Sequence, residues 1–499
     1  MHMFEDLLLY AGLCVGASIV SITSFAFYNL FLHPLRKYPG PRSWAATRIC
    51  WALSLQSGHF HHKLADLHSR YGPVVRIAPN ELSYIDAQAW QDIYGTQHGK
   101  PLIKRNTIWA KKQPGDQESI LSADEAAHLR NRRALMGAFT DNAVSEHASV
   151  VESYVDLMVE KFRDISDAQG GKAIIDIVQW LNFLTFDISG ALSFGEDFGS
   201  VKSGKAHPWV DISCNFGKGL ILMASVNFFS PLDKILALVV PKSVRDKMEY
   251  HQQIAKMKVQ QRLAIADRDG SQDYVGSIQQ YNKEKGDKIP PEEIESNLTT
   301  LVFAGSETTG SALASIINQL IRHPETLRKA SDEIRSAFDS EQDIKVSNVA
   351  HMEYLTAVIQ EGIRLGPPAA IGMPRVVPHQ GTTISGQWVP GGTHVSVSQY
   401  PAYRSPTNFT QPNDFIPARF TTPVEGDNMS VFEPFLVGRH KCIGQKLAWA
   451  EMRLSLARLL FAFDIAPAPG HTVSDFGEQK THFFWEKGPL MLELRPKVY

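Results

Sequence analysis

A single cysteine near the C-terminus has neighbours that suit chemistry better than packing. Cys442 lies in the stretch FLVGRHKCIG, between Gly438 and Gly444 and directly behind the basic tripeptide RHK. Nearby cations and free backbone N–H groups stabilise a thiolate. The segment QKLAWAEMRLSLARLLFAF follows and predicts a helix whose N-terminal dipole also favours S⁻. The pattern indicates a metal ligand or an activated thiolate, with a buried free cysteine as the alternative.

A predicted apolar helix carries polar residues at its centre. The segment LVFAGSETTGSALA contains Gly305, Glu307 and Thr308 in its middle. Glycine costs about 1 kcal/mol relative to alanine inside a helix, and Ser or Thr hydroxyls can bend a helix by bonding back to a carbonyl. The pattern indicates a local opening for water, a ligand or a proton path. The alternative is a kinked core helix with one solvent-facing glutamate.

Two further patterns place charges on predicted helices and loops. In EGIR, Glu361 and Arg364 are three residues apart and share one face of a helix. In FIPARF, Arg419 lies in a loop between aromatic residues. Exposed helices contain many such pairs, so neither pattern indicates a function by itself.

The elements that must position these residues are mainly helical. Apolar periodicity predicts long helical segments at about 120–165, 176–195, 245–267 and 291–336. Short strands are predicted in VVRIAPNELSYID, within residues 372–398 and near 482–495. No linker divides the main part of the chain. The prediction is one large domain, mainly α with a small β part.

The composition limits the possible functions. The chain of 499 residues is 43% hydrophobic, and its net charge of -2 provides no basic field for nucleic acid. The four cysteines lie far apart and form no C-x-x-C pair, so neither a disulfide framework nor a zinc ribbon is indicated.

The N-terminal segment is long and apolar enough to cross a membrane. Residues 7–32 contain no charged side chain, and a spanning helix needs about 20 apolar residues. A cleaved signal peptide or a buried core helix are the alternatives. Arg36 and Lys37 follow the span and favour a cytosolic body. YPGP then predicts a stiff hinge, so the expected organisation is an anchor at 1–32, a proline-rich hinge at 33–45 and a catalytic domain at 46–499.

The four chemical patterns, in this order and spacing, resemble the cytochrome P450 family of haem-thiolate monooxygenases. F-x-x-G-x-R-x-C-x-G is matched at Phe435, Gly438, Cys442 and Gly444, and departs from the family at His440, where an Arg is usual. A/G-G-x-D/E-T-T is matched in full, at Ala304, Gly305, Glu307, Thr308 and Thr309. The anchor, RIAPNELSY and the Trp388–Pro390 loop most resemble filamentous-fungal microsomal members of secondary metabolism.

The resemblance implies roles for individual residues. Cys442 would be the axial ligand of haem b, and Thr308 with Glu307 would hold bound oxygen and deliver protons. The haem propionates would contact His128 and Arg132 of HLRNR, where the family has W-x-x-x-R, together with Arg375 and His440. Glu361, Arg364 and Arg419 would brace the cysteine loop.

The substrate pocket would draw on five stretches: 101–122, 213–230, Leu301 to Ala304, Ala369 to Met373 and the neighbourhood of Phe483 and Phe484.

The resemblance also implies a reaction and its partners. One atom of O₂ would enter a hydrophobic small molecule of the terpenoid or polyketide kind, by hydroxylation or epoxidation. The alternatives are oxidative coupling, desaturation or rearrangement at the same centre, and a non-catalytic haem-binding membrane protein. Electrons would come from a separate NADPH–cytochrome P450 reductase, with cytochrome b5 as a further partner. The protein would be a single-pass endoplasmic reticulum protein with its catalytic domain in the cytosol.

Overall fold

The computed structural model describes residues 2–96, 103–105, 108–109, 117–234, 242–265, 273–286 and 288–498, and most of them are helical. The α-helices of this part are, in chain order, His2–Phe27, Arg42–Ala46, Ile49–Gln56, Phe60–Tyr71, Ala87–Tyr94, Glu125–Met136, Asp141–Ala168, Ile177–Phe194, Ser200–Ser203, Pro208–Asn227, Lys242–Ala264, Tyr274–Glu284, Pro291–Arg322, Pro324–Ala337, Val346–Val349, Glu353–Leu365, Gln399–Tyr403 and Gln445–Ala462.

The strands of the described residues are short and gather in small sheets. They are β1 (Val74–Ala78), β2 (Glu81–Tyr84), β3 (Lys104–Arg105), β4 (Ala173–Asp176), β5 (Arg375–Val376), β6 (Thr382–Ile384), β7 (Gln387–Val389), β8 (His394–Val397), β9 (Phe463–Pro467), β10 (Thr481–His482), β11 (Phe484–Trp485) and β12 (Met491–Pro496). One sheet has the order β1-β2-β8-β5-β3, a second has β4-β12-β9, and two hairpins pair β6 with β7 and β10 with β11. The expected class, mainly α with a small β part, is confirmed.

Two of the predicted long helices are each divided in the structure. The 120–165 segment breaks at the 3-10 turn Gly137–Phe139, and Thr140 caps the next helix by accepting a hydrogen bond from the Ala143 N–H. The 291–336 segment breaks at His323, because Pro324 has no N–H to continue the ladder and instead begins a new helix. Periodicity located the helical segments but not these interruptions.

The long helix Pro291–Arg322, called here the central helix, packs closely along the helix Ile177–Phe194. A Cβ added at Gly305 would lie 3.0 Å from Ser189 Oγ, and one added at Gly310 would lie 3.3 Å from Thr185 Oγ1. Such contacts are tighter than side chains normally accept. Gly305, which the sequence suggests as part of an opening, therefore serves to bring two helices together.

The N-terminal apolar span is confirmed as a helix. It runs from His2 to Phe27 and continues through a π-helical turn, Tyr28–Leu32. Within it, Gly12–Leu32 has a mean hydropathy of 1.6, and almost all of this stretch is exposed. A helix of this length and polarity is suited to hydrocarbon rather than to water.

The end of the span is attached to the body by buried polar contacts. Asn29 is almost fully buried, and its Nδ2 donates to the Ala46 carbonyl at 2.9 Å. The buried Arg76 guanidinium donates to the Asn29 carbonyl at 3.0 Å and also to the Pro79 carbonyl. The Arg76 backbone N–H donates to the Pro39 carbonyl at 2.7 Å. These bonds tie the proline-rich segment to strand β1.

A buried ionic network holds the chain that leads to Cys442. Glu361 pairs with Arg364 at 2.6 Å and with Arg419 at 3.1 Å, and all three side chains are inaccessible to solvent. Arg364 also donates to the carbonyls of Tyr403 and Pro412, both at 2.7 Å. A charge held this way is stabilised only while its partners remain in place. The EGIR helix is thus bound to the 403–419 segment through charge-assisted hydrogen bonds.

We predict that Glu361→Gln strongly destabilises the protein. The substitution removes the carboxylate that faces two buried guanidinium groups, and breaking a buried pair typically costs about 3–5 kcal/mol. The midpoint of urea unfolding of the full-length protein measures the effect. The control is Asp332→Asn, which breaks an exposed pair with Arg328 and should change stability by about 0.5 kcal/mol or less. Equal shifts of the two midpoints would contradict the prediction.

Candidate active site

The loop before Cys442 is shaped by a glycine that no other residue can replace. Gly438 has φ +74° and opens a 3-10 turn, Gly438–His440; a Cβ there would collide with the Tyr94 carbonyl oxygen. The Cys442 N–H then donates to the Phe435 carbonyl at 2.8 Å, which closes the loop. Gly444 directly precedes the helix Gln445–Ala462. The predicted arrangement, a cysteine just before a helix N-terminus, is present.

The Cys442 thiol is exposed at the surface of the described residues but has many protein atoms around it. Its side chain is accessible, yet protein surrounds it closely enough that burial raises its pKa. A hydrogen bond from the Gly444 backbone and the charges of Arg132 and Lys441 act in the opposite direction and lower the pKa. The surroundings stabilise the thiolate in part, and a metal cation at the sulfur would complete that stabilisation.

A group of basic side chains, called here the positive cluster, converges beside Cys442. It contains Arg105, His128, Arg132, Arg375 and His440. Arg105 on β3 is paired with Arg375 on β5 in the sheet register. An Arg105 guanidinium nitrogen lies 3.0 Å from His128 Nδ1, and the rings of His128 and His440 are 4.4 Å apart.

Burial, and after it the crowding of like charges, lowers the pKa values of groups in the cluster. Burial lowers the pKa of Arg105 to about 10, with a further contribution from Arg375. Burial lowers the pKa of His440 to about 2, and the charges of Arg105 and Arg375 add to the effect. His440 is therefore neutral at physiological pH, while the arginines remain charged. The cluster carries a concentrated positive charge.

Two buried imidazole nitrogens in the cluster, His128 Nε2 and His440 Nε2, make no hydrogen bond of standard geometry with the described residues. The Arg439 backbone nevertheless lies close enough to His128 to influence its pKa. The Glu125 carboxylate lies 3.5 Å from His440 Nε2 but without hydrogen-bond geometry. His128 Nδ1 lies near both Arg105 and the Ile120 carbonyl. When Arg105 donates to this Nδ1, the proton of neutral His128 must reside on Nε2, which then acts as a donor.

These residues fit a haem. The iron would bind the Cys442 sulfur, and the two propionate carboxylates would meet the excess positive charge and the imidazole nitrogens of the cluster. Arg439 contacts Glu125 at 3.3 Å. The His440 ring lies 4.4 Å from the His128 ring, so His440 belongs to the cluster. Arg132 has an additional task, because its Nη1 donates to the Lys441 carbonyl at 2.8 Å and so braces the cysteine loop.

The sequence reasoning missed Arg105 as a member of the cluster. Its stretch is included only as part of the expected pocket at 101–122, because no spacing pattern marks it. The available signal was an arginine in a short β-prone segment, and that signal is common. Its position emerges only when β3 pairs with β5, which places Arg105 beside Arg375.

The polar centre of the central helix is buried rather than exposed. The Thr308 hydroxyl donates to the Ala304 carbonyl at 2.6 Å, and the helix continues without interruption from Pro291 to Arg322. The Glu307 carboxylate pairs with Lys487 Nζ at 2.8 Å, and the two side chains are only 2% and 5% exposed. The alternative of a solvent-facing glutamate is wrong. Lys487 is a second residue that the sequence reasoning did not find.

The stretches expected to line a substrate pocket pack together. Trp109, Ile221, Ile371 and Phe483 belong to one apolar cluster. The central helix joins this group through Phe303, whose ring centroid lies 4.9 Å from that of Phe484. Part of the expected pocket, at 101–102, 106–107 and 110–116 and in the side chains of 213–216, lies outside the described residues.

Comparison with known proteins agrees with the site. The sequence model of the family Cytochrome P450 matches residues 39–494. The chain is 37% identical to the cytochrome P450 monooxygenase atr2 of Stereocaulon alpinum, over 97% of this chain and 96% of that protein. It is 36% identical to the averantin hydroxylase of Dothistroma septosporum, over 97% and 91%, and 37% identical to the trichothecene C-4 hydroxylase of Trichoderma arundinaceum, over 96% of both. The chain thus belongs to the cytochrome P450 family and is a haem-dependent monooxygenase that receives its electrons from a reductase.

Proposed function

We propose that this monooxygenase hydroxylates or epoxidises a hydrophobic small molecule of the polyketide or terpenoid kind, in a fungal secondary pathway. Two of its relatives are named as hydroxylases. The observation that carries the proposal is the Thr308–Glu307 pair in a helix whose Phe303 meets an apolar cluster. The reaction consumes O₂, NADPH and one proton, places one oxygen atom in the substrate and releases the other as water.

Different residues of this chain have different roles in the reaction. The bound haem supplies oxygen activation, with Cys442 holding its iron. The positive cluster orients the haem by neutralising its propionates, where each charge-assisted bond contributes about 1.5–3 kcal/mol. In the structure the Thr308 hydroxyl donates to the Ala304 carbonyl. Rotation of this hydroxyl would direct its proton toward the reacting centre instead. Glu307 holds and passes the proton that water formation consumes.

The proton-handling pair favours oxygenation over the rival reactions. A rearrangement that leaves O₂ uncleaved needs no proton relay, and neither does a non-catalytic haem-binding protein. Oxidative coupling and desaturation use the same oxygen chemistry as hydroxylation, so the pair does not separate them. The apolar lining around Phe483 and Phe484 favours a substrate with little charge.

We further propose that the protein is a single-pass protein of the endoplasmic reticulum with its catalytic body in the cytosol. Exposed apolar side chains lie close to the end of the anchor. The helix Ile49–Gln56 presents Ile49 and Leu53, which are 53% and 67% exposed. Gln56 donates to the Ile221 carbonyl of the neighbouring helix, which presents Leu222. This surface suits the bilayer interface. The electron donor is then a membrane-bound NADPH–cytochrome P450 reductase, with cytochrome b5 as a second donor.

We predict that Cys442→Ala abolishes the thiolate signature of the haem. In the reduced, CO-bound protein, the Soret band characteristic of thiolate ligation should be present in the natural protein and absent in the variant. Cys50→Ala, which removes another free cysteine, is the control and should leave the band unchanged. Persistence of the band in Cys442→Ala would remove this residue as the ligand.

We predict that Thr308→Ala uncouples NADPH oxidation from product formation. Without the hydroxyl the proton path is incomplete, so product per NADPH should fall several-fold and hydrogen peroxide should rise. Thr300→Ala is a matched control, because Thr300 lies on the same helix and bonds back to the Ser296 carbonyl at 2.8 Å. Unchanged coupling in Thr308→Ala, or equal loss in both variants, would contradict the role of Thr308.

We predict the topology from the charges that flank the anchor. In sealed microsomes, an epitope tag at the N-terminus should be protected from added protease, while the body is digested. The positive residues Arg36 and Lys37 directly after the span hold that side in the cytosol. Protection of the body instead of the tag would contradict the proposed orientation, and release of the chain by alkaline carbonate would contradict the anchor.

A further inference from the structure

A lysine outside the P450 sequence patterns sits against the proton-relay acid. Lys487 Nζ donates to Glu307 Oε2 at 2.8 Å and lies 3.5 Å from Ser311 Oγ, one helical turn further along the central helix. Both charged side chains are almost completely buried. Dissolved salt screens such a buried ion pair only weakly. The low dielectric around the pair strengthens the attraction that holds the two groups together.

The backbone that carries Lys487 is held from both sides. Before it, the Trp485 indole N–H donates to the Pro367 carbonyl at 2.8 Å, and the Glu486 N–H donates to the Lys480 carbonyl at 2.8 Å. After it, the Leu490 N–H donates to Asp176 Oδ1 at 3.0 Å. A hydrogen-bonded loop, rather than a loose chain end, therefore places Lys487 beside Glu307.

The acid next to Lys487 in sequence has other partners. Glu486 pairs with His482 and with Lys218, the latter at 3.4 Å. The Glu486 carboxylate therefore has basic partners of its own, and the Lys487 ammonium is buried in the protein. A buried ammonium needs a counter-ion, and the Glu307 carboxylate supplies it.

We propose that Lys487 is a positioning residue of the monooxygenase: it holds the Glu307 carboxylate in place beside Thr308 and keeps it available for proton delivery. The inference rests on the proposed role of Glu307 in the relay. Lys487 does not touch the reacting atoms. It acts through Glu307, since loss of the ammonium partner would leave the buried carboxylate to turn toward other donors.

Three variants and their combination test the proposal: Glu307→Gln, Lys487→Met, Lys487→Arg and the double variant Glu307→Gln/Lys487→Met. Lys480→Met is the matched control, because Lys480 is an exposed lysine close to the same hairpin. The measurements are product formed per NADPH oxidised, the hydrogen peroxide released, and the thermal unfolding midpoint of the purified protein without reductase. The last readout is independent of turnover.

The expected result is a shared loss of coupling. Lys487→Met should lower product per NADPH several-fold, to the level of Glu307→Gln, and the double variant should be no worse than Glu307→Gln alone. Lys487→Arg should recover at least half of the coupling, and Lys480→Met should match the natural protein. The unfolding midpoints should be non-additive, because the two single variants break the same pair.

Two outcomes would overturn the proposal, and they are distinguishable. If Glu307→Gln uncouples the enzyme but Lys487→Met remains coupled, with only its unfolding midpoint lowered, the pair is structural and Lys487 has no positioning role. If Glu307→Gln itself remains fully coupled, the relay role of Glu307 fails, and the inference fails with it. Should Lys487→Met not fold, Lys487→Gln takes its place, and its amide donor should give intermediate coupling.

Discussion

The concentration of positive charge beside Cys442 is the constraint on which the rest of the structure depends. Arginines and histidines from β3, β5, the helix Glu125–Met136 and the cysteine loop meet there, although like charges repel in a medium of low dielectric. Burial is the main reason why the pKa values of His440 and Arg105 are lowered, and the neighbouring arginine charges lower both further. A prosthetic group with two carboxylates relieves the repulsion, so haem binding and the stability of this region are linked.

Much of the surrounding fold holds the positively charged residues beside Cys442 together despite their mutual repulsion. The buried Glu361–Arg364–Arg419 network secures the segment that precedes the cysteine loop, and Arg132 reaches across to the loop itself. Gly438 allows the chain to pass closely by Tyr94. Stability and ligand geometry are supplied by the same contacts, which is why structural and ligand-binding residues intermingle here.

The central helix carries its buried charge as an ion pair, unlike the positive cluster. On this side the surroundings are apolar, and the Glu307 carboxylate is paired with the Lys487 ammonium. Gly305 and Gly310 let the helix approach its neighbour closely, while Thr308 bonds back to Ala304 without breaking the helix. The glycines of this helix thus allow close packing, and the adjacent residues Glu307 and Thr308 handle protons.

The sequence alone determined the features that depend on a few adjacent residues. The glycines around Cys442, the Glu307–Thr308 pair, the EGIR spacing, the apolar N-terminal span and the location of most long helices all follow from local conformational preference and periodicity. Tertiary structure decided what local patterns cannot encode. It brought Arg105 to His128 and Lys487 to Glu307, gave Gly305 a packing role, and attached Asn29 to the body through Arg76. The physical reason is that charge balance and close packing are settled between segments far apart in the chain, such as Arg132 and Lys441, which are separated by 309 positions.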